Sequence, residues 1–126
     1  MKKTMRLSSI FLFSTFVLIF ASSAFGQRVG GYKQVATNDP MAQAAAEFAV
    51  SAEAKKSGKE IELISVQKAE RQTVQGANYR LCLNVNAEGE DGEADASIFV
   101  QAVVYLDLKR NYRLISWATS DCGDED

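Results

Sequence analysis

Residues 71–83 read RQTVQGANYRLCL. The stretch passes from polar residues through a glycine into strict alternation. Tyr79, Leu81, Leu83 and Val85 share one parity, and Asn78, Arg80, Cys82, Asn84 and Asn86 share the other. A period of two is the pattern of an antiparallel strand with one face buried and the other toward water. The polar residues before Gly76 then form a turn, and residues 61–66 (IELISV), continuing to Gln72, supply the strand on its other side. Gln72-Thr73-Val74-Gln75-Gly76 is therefore predicted at the tip of a β-hairpin, where glycine permits a backbone bend that other residues resist.

Working outward, residues 88–95 (EGEDGEAD) read as a charged, glycine-containing turn. They lack the twelve-residue ligand spacing of a calcium-binding EF-hand. Residues 98–108 (IFVQAVVYLDL) form a long strand with Ile98, Val100, Ala102, Val104, Leu106 and Leu108 on one face. Lys109-Arg110-Asn111 makes a short turn into a last strand, YRLISWAT. There Trp117 shares parity with Arg113, Ile115 and Thr119, which predicts the outer face, in a small cluster with Val103 and Tyr105.

Upstream, Asn38-Asp39-Pro40 is a helix-start signal, a capping side chain followed by proline in the first turn. Residues 41–57 are alanine-rich, and Met41, Ala44, Ala45, Phe48 and Ala52 fall on one face at helical spacing. Lys55 and Lys56 suit a last turn, and Gly58 stops the helix. One helix followed by four hairpin-linked strands predicts an α+β fold: an antiparallel sheet wrapped on a single long helix.

The first 26 residues read differently. Lys2, Lys3 and Arg6 precede the apolar run 10–21, and Ala24-Phe25-Gly26 places small residues where a signal peptidase reads. A secretory signal peptide over residues 1–26 is expected, leaving one domain over 27–126. The removed segment carries three cations and no acid, which takes the net charge from −2 to −5. An acidic chain of this kind lacks the basic footprint of a nucleic-acid binder. Cys82 and Cys122 are the only cysteines. An even count in an exported chain predicts one disulfide. The tail after Thr119 must fold back to make it, because a flat separation of two strands, about 10 Å, exceeds disulfide reach. The chain has no histidine, which removes Ser-His-Asp and Cys-His catalysis and leaves no plausible zinc site. Neither an enzyme nor a cofactor is expected.

The hairpin tip carries the closest family likeness. Gln72-x-Val74-x-Gly76 resembles the first-loop signature of the cystatins, inhibitors of papain-like cysteine proteases. Its placement after a helix and a strand fits, as does Asn78-Tyr79-Arg80-Leu81 after it. Gly30-Gly31, preceded by Val29, resembles the family's glycine near the mature N-terminus, and Ala46-Glu47-Phe48-Ala49-Val50 resembles its helix. The likeness implies an exported, monomeric, reversible inhibitor whose wedge enters the protease cleft. Val29, Gly30 and Gly31 would form a trunk, Gln72, Thr73, Val74, Gln75 and Gly76 the first loop, and Lys109, Arg110 and Asn111 the second. The family's Pro-Trp pair is absent from that second loop, and Ser57-Gly58-Lys59 has no match to the legumain-binding asparagine of some cystatins. The alternative is a cystatin-like binding or structural domain that inhibits nothing.

Overall fold

A computed structural model describes residues 31–124. The elements run β1 (Lys33–Val35), α1 (Pro40–Ser57), β2 (Ile61–Val74), β3 (Gly76–Ala87), β4 (Ala96–Leu106), β5 (Tyr112–Thr119) and a short 3-10 turn, Cys122–Asp124. The strands form one antiparallel sheet in sequence order, β1-β2-β3-β4-β5, and α1 packs across it. The α+β architecture expected from the sequence is present, with one strand more. β1 is three residues long and pairs at the edge with Ala69, Glu70 and Arg71. A strand so short has no resolvable periodicity, so only the partner strand reveals it.

The helix begins where the capping residues place it. The Asp39 carboxylate accepts the N–H groups of Met41 and Ala42 at 3.1 and 3.0 Å. Gly58 ends it in the left-handed region at φ 73°, its N–H donating to the Ala54 carbonyl. The face differs from expectation. Ala42, Ala45, Ala46, Ala49 and Val50 are the buried stripe, whereas Met41 and Phe48 lie at its flank and Ala44 outside its centre. Alanines lie all around this helix, so hydrophobicity alone does not orient it. The curved sheet selects the smallest side chains for closest approach, and Phe48 stacks on Tyr112 with centroids 5.3 Å apart.

β3 keeps its alternation: Tyr79, Leu81, Leu83 and Val85 are buried against Val100, Ala102, Val104 and Leu106 of β4. β2 and β5 do not alternate strictly. The β2–β3 register shifts on either side of Ser65-Val66, leaving Ile64 exposed. In β5, Val103 pairs with Ser116 but Val104 with Leu114, which leaves Ile115 as an extra residue, half exposed. That bulge resets the parity of everything after it. Trp117 therefore stands opposite Ala102 and packs on the core with Tyr112 and Leu114. Its expected place in an outer cluster with Val103 and Tyr105 is incorrect.

The tail does fold back. Ser120 N–H donates to the Phe99 carbonyl, Gly123 lies against the Phe99 ring, and Cys122 is bonded to Cys82 with Cα atoms 5.8 Å apart. Both cysteines are buried, and the segment crosses the outer face of β4 to reach β3. The flat-sheet distance is overcome because the chain leaves the sheet after Thr119.

Candidate functional site

Two hairpin tips meet at one end of the sheet. In the first, pairing runs to the end: Thr73 faces Ala77 and Val74 faces Gly76, so Gln75 alone forms the crest. Gly76 has φ 102°, a region that disfavours side chains. A Cβ there would also press into the Leu106 carbonyl oxygen and stand 3.2 Å from Asp107 Cα. Glycine is thus required twice, by its dihedral and by the closeness of β4. The Tyr105 hydroxyl donates to the Gln75 carbonyl at 2.5 Å, tying the crest to β4. Asn78 Nδ2 donates to Gln72 Oε1 at 3.0 Å, so the Gln72 carboxamide oxygen is engaged across the hairpin. Thr73 and Gln75 are exposed and Val74 is half-buried.

The second tip is residues 107–111. Asp107 Oδ1 accepts the N–H groups of Lys109 and Asn111 at 2.8 and 2.9 Å. The backbone closes the same loop, Asp107 N–H to Asn111 carbonyl and Arg110 N–H to Asp107 carbonyl, with Arg110 at φ 73°. The Asn111 N–H bond holds the Asp107 carboxyl below its usual range, with the Lys109 N–H and the Lys109 charge acting the same way and partial desolvation opposing them. Expected as the last core-facing residue of its strand, Leu108 instead lies past the end of β4, projecting from this loop with 75% of its surface exposed. Gln75, Tyr105, Asp107, Leu108 and Lys109 line a shallow cleft of about 280 Å³ between the tips.

Sequence reasoning missed Leu108, Tyr105 and Asp107. Alternation carries smoothly from Leu106 to Leu108, so hydrophobicity gave no warning that the strand had ended. The available signal was Asp107 itself, since aspartate at the head of a tight turn bonds backbone N–H groups ahead of it. Lys109, Arg110 and Asn111 are placed in the expected loop, all exposed. Gly31 is exposed with open space around it, while Val29 and Gly30 lie outside the described residues. β1 pairs Lys33 with Arg71 antiparallel, which directs Gly31 and Tyr32 toward the first tip. Arg80 lies 4.0 Å over the Tyr32 ring and donates to Glu70 at 2.8 Å, and that bond foremost keeps the Glu70 carboxyl low.

The Asp107 clasp has a pH signature. A carboxylate titrating below its ordinary value keeps its bonds above about pH 4 and loses them as pH falls through the lowered value. Asp107→Ala is expected to accelerate amide exchange at Lys109 and Asn111 at every pH. Asp107→Asn, which retains an acceptor oxygen, should preserve much of the protection and remove its decline in acid. Unchanged exchange in the alanine variant would contradict the clasp.

Comparison with known proteins adds a family to this geometry. The family described as SQAPI, aspartic acid proteinase inhibitor, matches residues 32–119. A rice protein (Oryza sativa subsp. japonica) named as cysteine proteinase inhibitor 7 is 33% identical over 100 residues, spanning 78% of this chain and 86% of the relative. The fold resembles salivary cystatin from the soft tick Ornithodoros moubata, with TM-score 0.59 and 19% identity over 72% of this chain and 97% of that one. It also resembles dimeric human cystatin F, with TM-score 0.61 and 15% identity over 75% and 90% of the two chains.

This chain belongs to the cystatin family of proteinase inhibitors. In this cystatin the two tips and the entry of β1 converge on one end of the sheet, and the disulfide lies across its outer face. The family's description and the rice relative's name point to different protease classes, aspartic and cysteine.

Proposed function

We propose that residues 27–126, exported by a signal peptide over residues 1–26, act as a monomeric, reversible, competitive inhibitor of papain-like cysteine proteases and not as an enzyme. The observation that supports this most is the 72–76 tip, which exposes Thr73 and Gln75, is tied by the Tyr105 hydroxyl and lies close against β4 at Gly76. An inhibitor must fill a cleft without presenting a scissile bond, and a tip already held in its bound shape loses little entropy on docking. Gln72, Thr73, Val74, Gln75 and Gly76 would form the central contact. Val29, Gly30 and Gly31 would fill an adjoining subsite, and Lys109, Arg110 and Asn111 would lie at the rim. Leu108 would supply the apolar contact of the second loop, in place of the absent Pro-Trp pair. Burial of about 800 Å² per partner would be ordinary for such a complex.

An aspartic protease as target is the second reading, favoured by the description of the matching family. Titration of the 27–126 chain against papain and against pepsin separates the two. Competitive inhibition of papain with a Kd below about 10 μM, near −7 kcal/mol, is expected. Inhibition of pepsin alone would establish the second reading, and inhibition of neither would leave a cystatin-like binding or structural domain. Leu108→Ser should weaken inhibition by roughly tenfold to a hundredfold, because burying a leucine side chain contributes about 1.5–3 kcal/mol. An unchanged inhibition constant would remove Leu108 from the interface.

A further inference from the structure

A second cavity lies beside the two tips, on the helix side of the sheet. It holds about 210 Å³ between the start of α1 at Met41, the base of the first hairpin at Gly76 and Ala77, and the second loop at Leu108. Two guanidinium groups line it from different elements, Arg71 on β2 and Arg110 in the second loop. Arg71 lies 6.0 Å over the buried Tyr79 ring, and Arg110 Nη2 approaches Met41 Sδ at 3.9 Å. Elsewhere the described cations Arg80 and Lys59 meet carboxylates, Glu70 and Glu90. Neither Arg71 nor Arg110 has an ion pair among the described residues. The cavity's one acid, Asp107, spends an oxygen on its own loop backbone.

We propose that this cavity is a carboxylate site, and that it receives an Asp or Glu side chain from the rim of the target protease's cleft. The inference rests on the inhibitor reading above and adds the chemistry of the partner. The two guanidinium groups line one cavity with apolar residues such as Ala77, Tyr79 and Leu106, and a carboxylate entering it would be attracted by both. Guanidinium groups present planar donor pairs that match a carboxylate, so a single acid can be gripped by both. Position supports the assignment. The cavity shares Gly76 and Leu108 with the two tips, so a protein seated on the tips comes within reach of both arginines. The acidic 88–95 turn lies at the opposite end of the sheet, between β3 and β4, where it does not compete for them. The chain is thus negative overall but cationic beside its docking edge, an arrangement that orients an acidic-rimmed partner.

The test measures inhibition constants for the 27–126 chain and for Arg71→Met, Arg110→Met and the double variant, against whichever of papain and pepsin the unaltered chain inhibits. Methionine keeps an apolar stem and removes the charge together with the guanidinium N–H donors. Each single variant should weaken inhibition by roughly fivefold to tenfold at about 0.05 M salt. The double variant should fall short of the product of the singles, because both arginines serve one carboxylate. Raising salt to about 0.5 M should narrow the gap between variants and unaltered chain. Unchanged melting temperatures are expected, which separates a lost contact from a damaged fold. If the unaltered chain inhibits and the double variant matches it within about twofold, the carboxylate site is overturned and the inhibitor reading stands. If the unaltered chain inhibits neither protease, both fall.

Discussion

Gly76→Glu is expected to abolish inhibition while the domain still folds. Three features of one position combine. The φ of 102° strains any side chain, the Cβ has no room against the Leu106 carbonyl, and a carboxylate would have to enter the partner's cleft beside the tip. Backbone strain of this kind costs about 1–3 kcal/mol. It is confined to the last residue pair of the hairpin, far from the buried layer around Leu81 and Leu83. The domain can absorb that cost, whereas the tip cannot keep its shape. A loss of roughly a thousandfold or more in affinity, about 4 kcal/mol, is the expected scale. Gly76→Ala should sit between the two, since it carries the strain and the contact without the charge. Gly58→Ala is the informative control: its φ of 73° is also left-handed, but a Cβ there meets open space, and it caps the helix rather than the tip. That variant should lose about 1 kcal/mol of stability, the cost of a side chain in the left-handed region, and none of its inhibition. A folded Gly76→Glu that inhibits as well as the unaltered chain would show that the first tip is not the docking edge.

Loss of the Cys82–Cys122 bond should produce the largest change in stability and almost none in inhibition. The bridge closes a sequence separation of 40, for which the chain-entropy description gives about 4 kcal/mol. For a domain of this size that corresponds to a fall in melting temperature of roughly 15–30 °C. Geometry predicts the second half of the result. Cys82 pairs with the level of Gln101, in the middle of the sheet, and the tail crosses the outer face there. The tips are six residue levels away along β3, and their braces, Tyr105 and Asp107, do not involve the tail. The double variant Cys82→Ala, Cys122→Ala, assayed below its own melting temperature, is therefore expected to inhibit within about twofold of the parent. A small shift in melting temperature, or free thiols in protein recovered after export, would contradict this account.

The parts of the proposed docking edge are unequally visible in the sequence. The first tip is encoded locally: a polar turn, a glycine and an alternating strand stand side by side in 71–83. What makes it rigid is not local. The Tyr105 hydroxyl comes from thirty residues downstream, and the Gln72 carboxamide meets Asn78 only once the hairpin has closed. The second loop was placed by Lys109, Arg110 and Asn111, but its apolar member was assigned to the strand before it. Arg71 and Arg110, 39 positions apart in sequence, share a cavity only because β2 and the β4–β5 turn end on the same side of the helix.

From the sequence alone came the helix and its caps, the alternating faces of β3 and β4, a hairpin tip within residues 72–76 and the pairing of the two cysteines. Each depends on neighbours within a few residues or, for the cysteines, on there being no other partner. Tertiary structure alone decided the short edge strand β1, the rotation of the alanine-rich helix toward Ala46 and Ala49, the bulge at Ile115 and the exposure of Leu108. A sheet that wraps a helix must add residues where it bends, and each added residue exchanges inside for outside along the rest of the strand. Hydrophobic pattern cannot reveal that exchange when isoleucine, tryptophan and leucine stand on both parities. It turned Trp117 into the core, while the end of β4 at Leu106 left Leu108 facing water at the proposed docking edge.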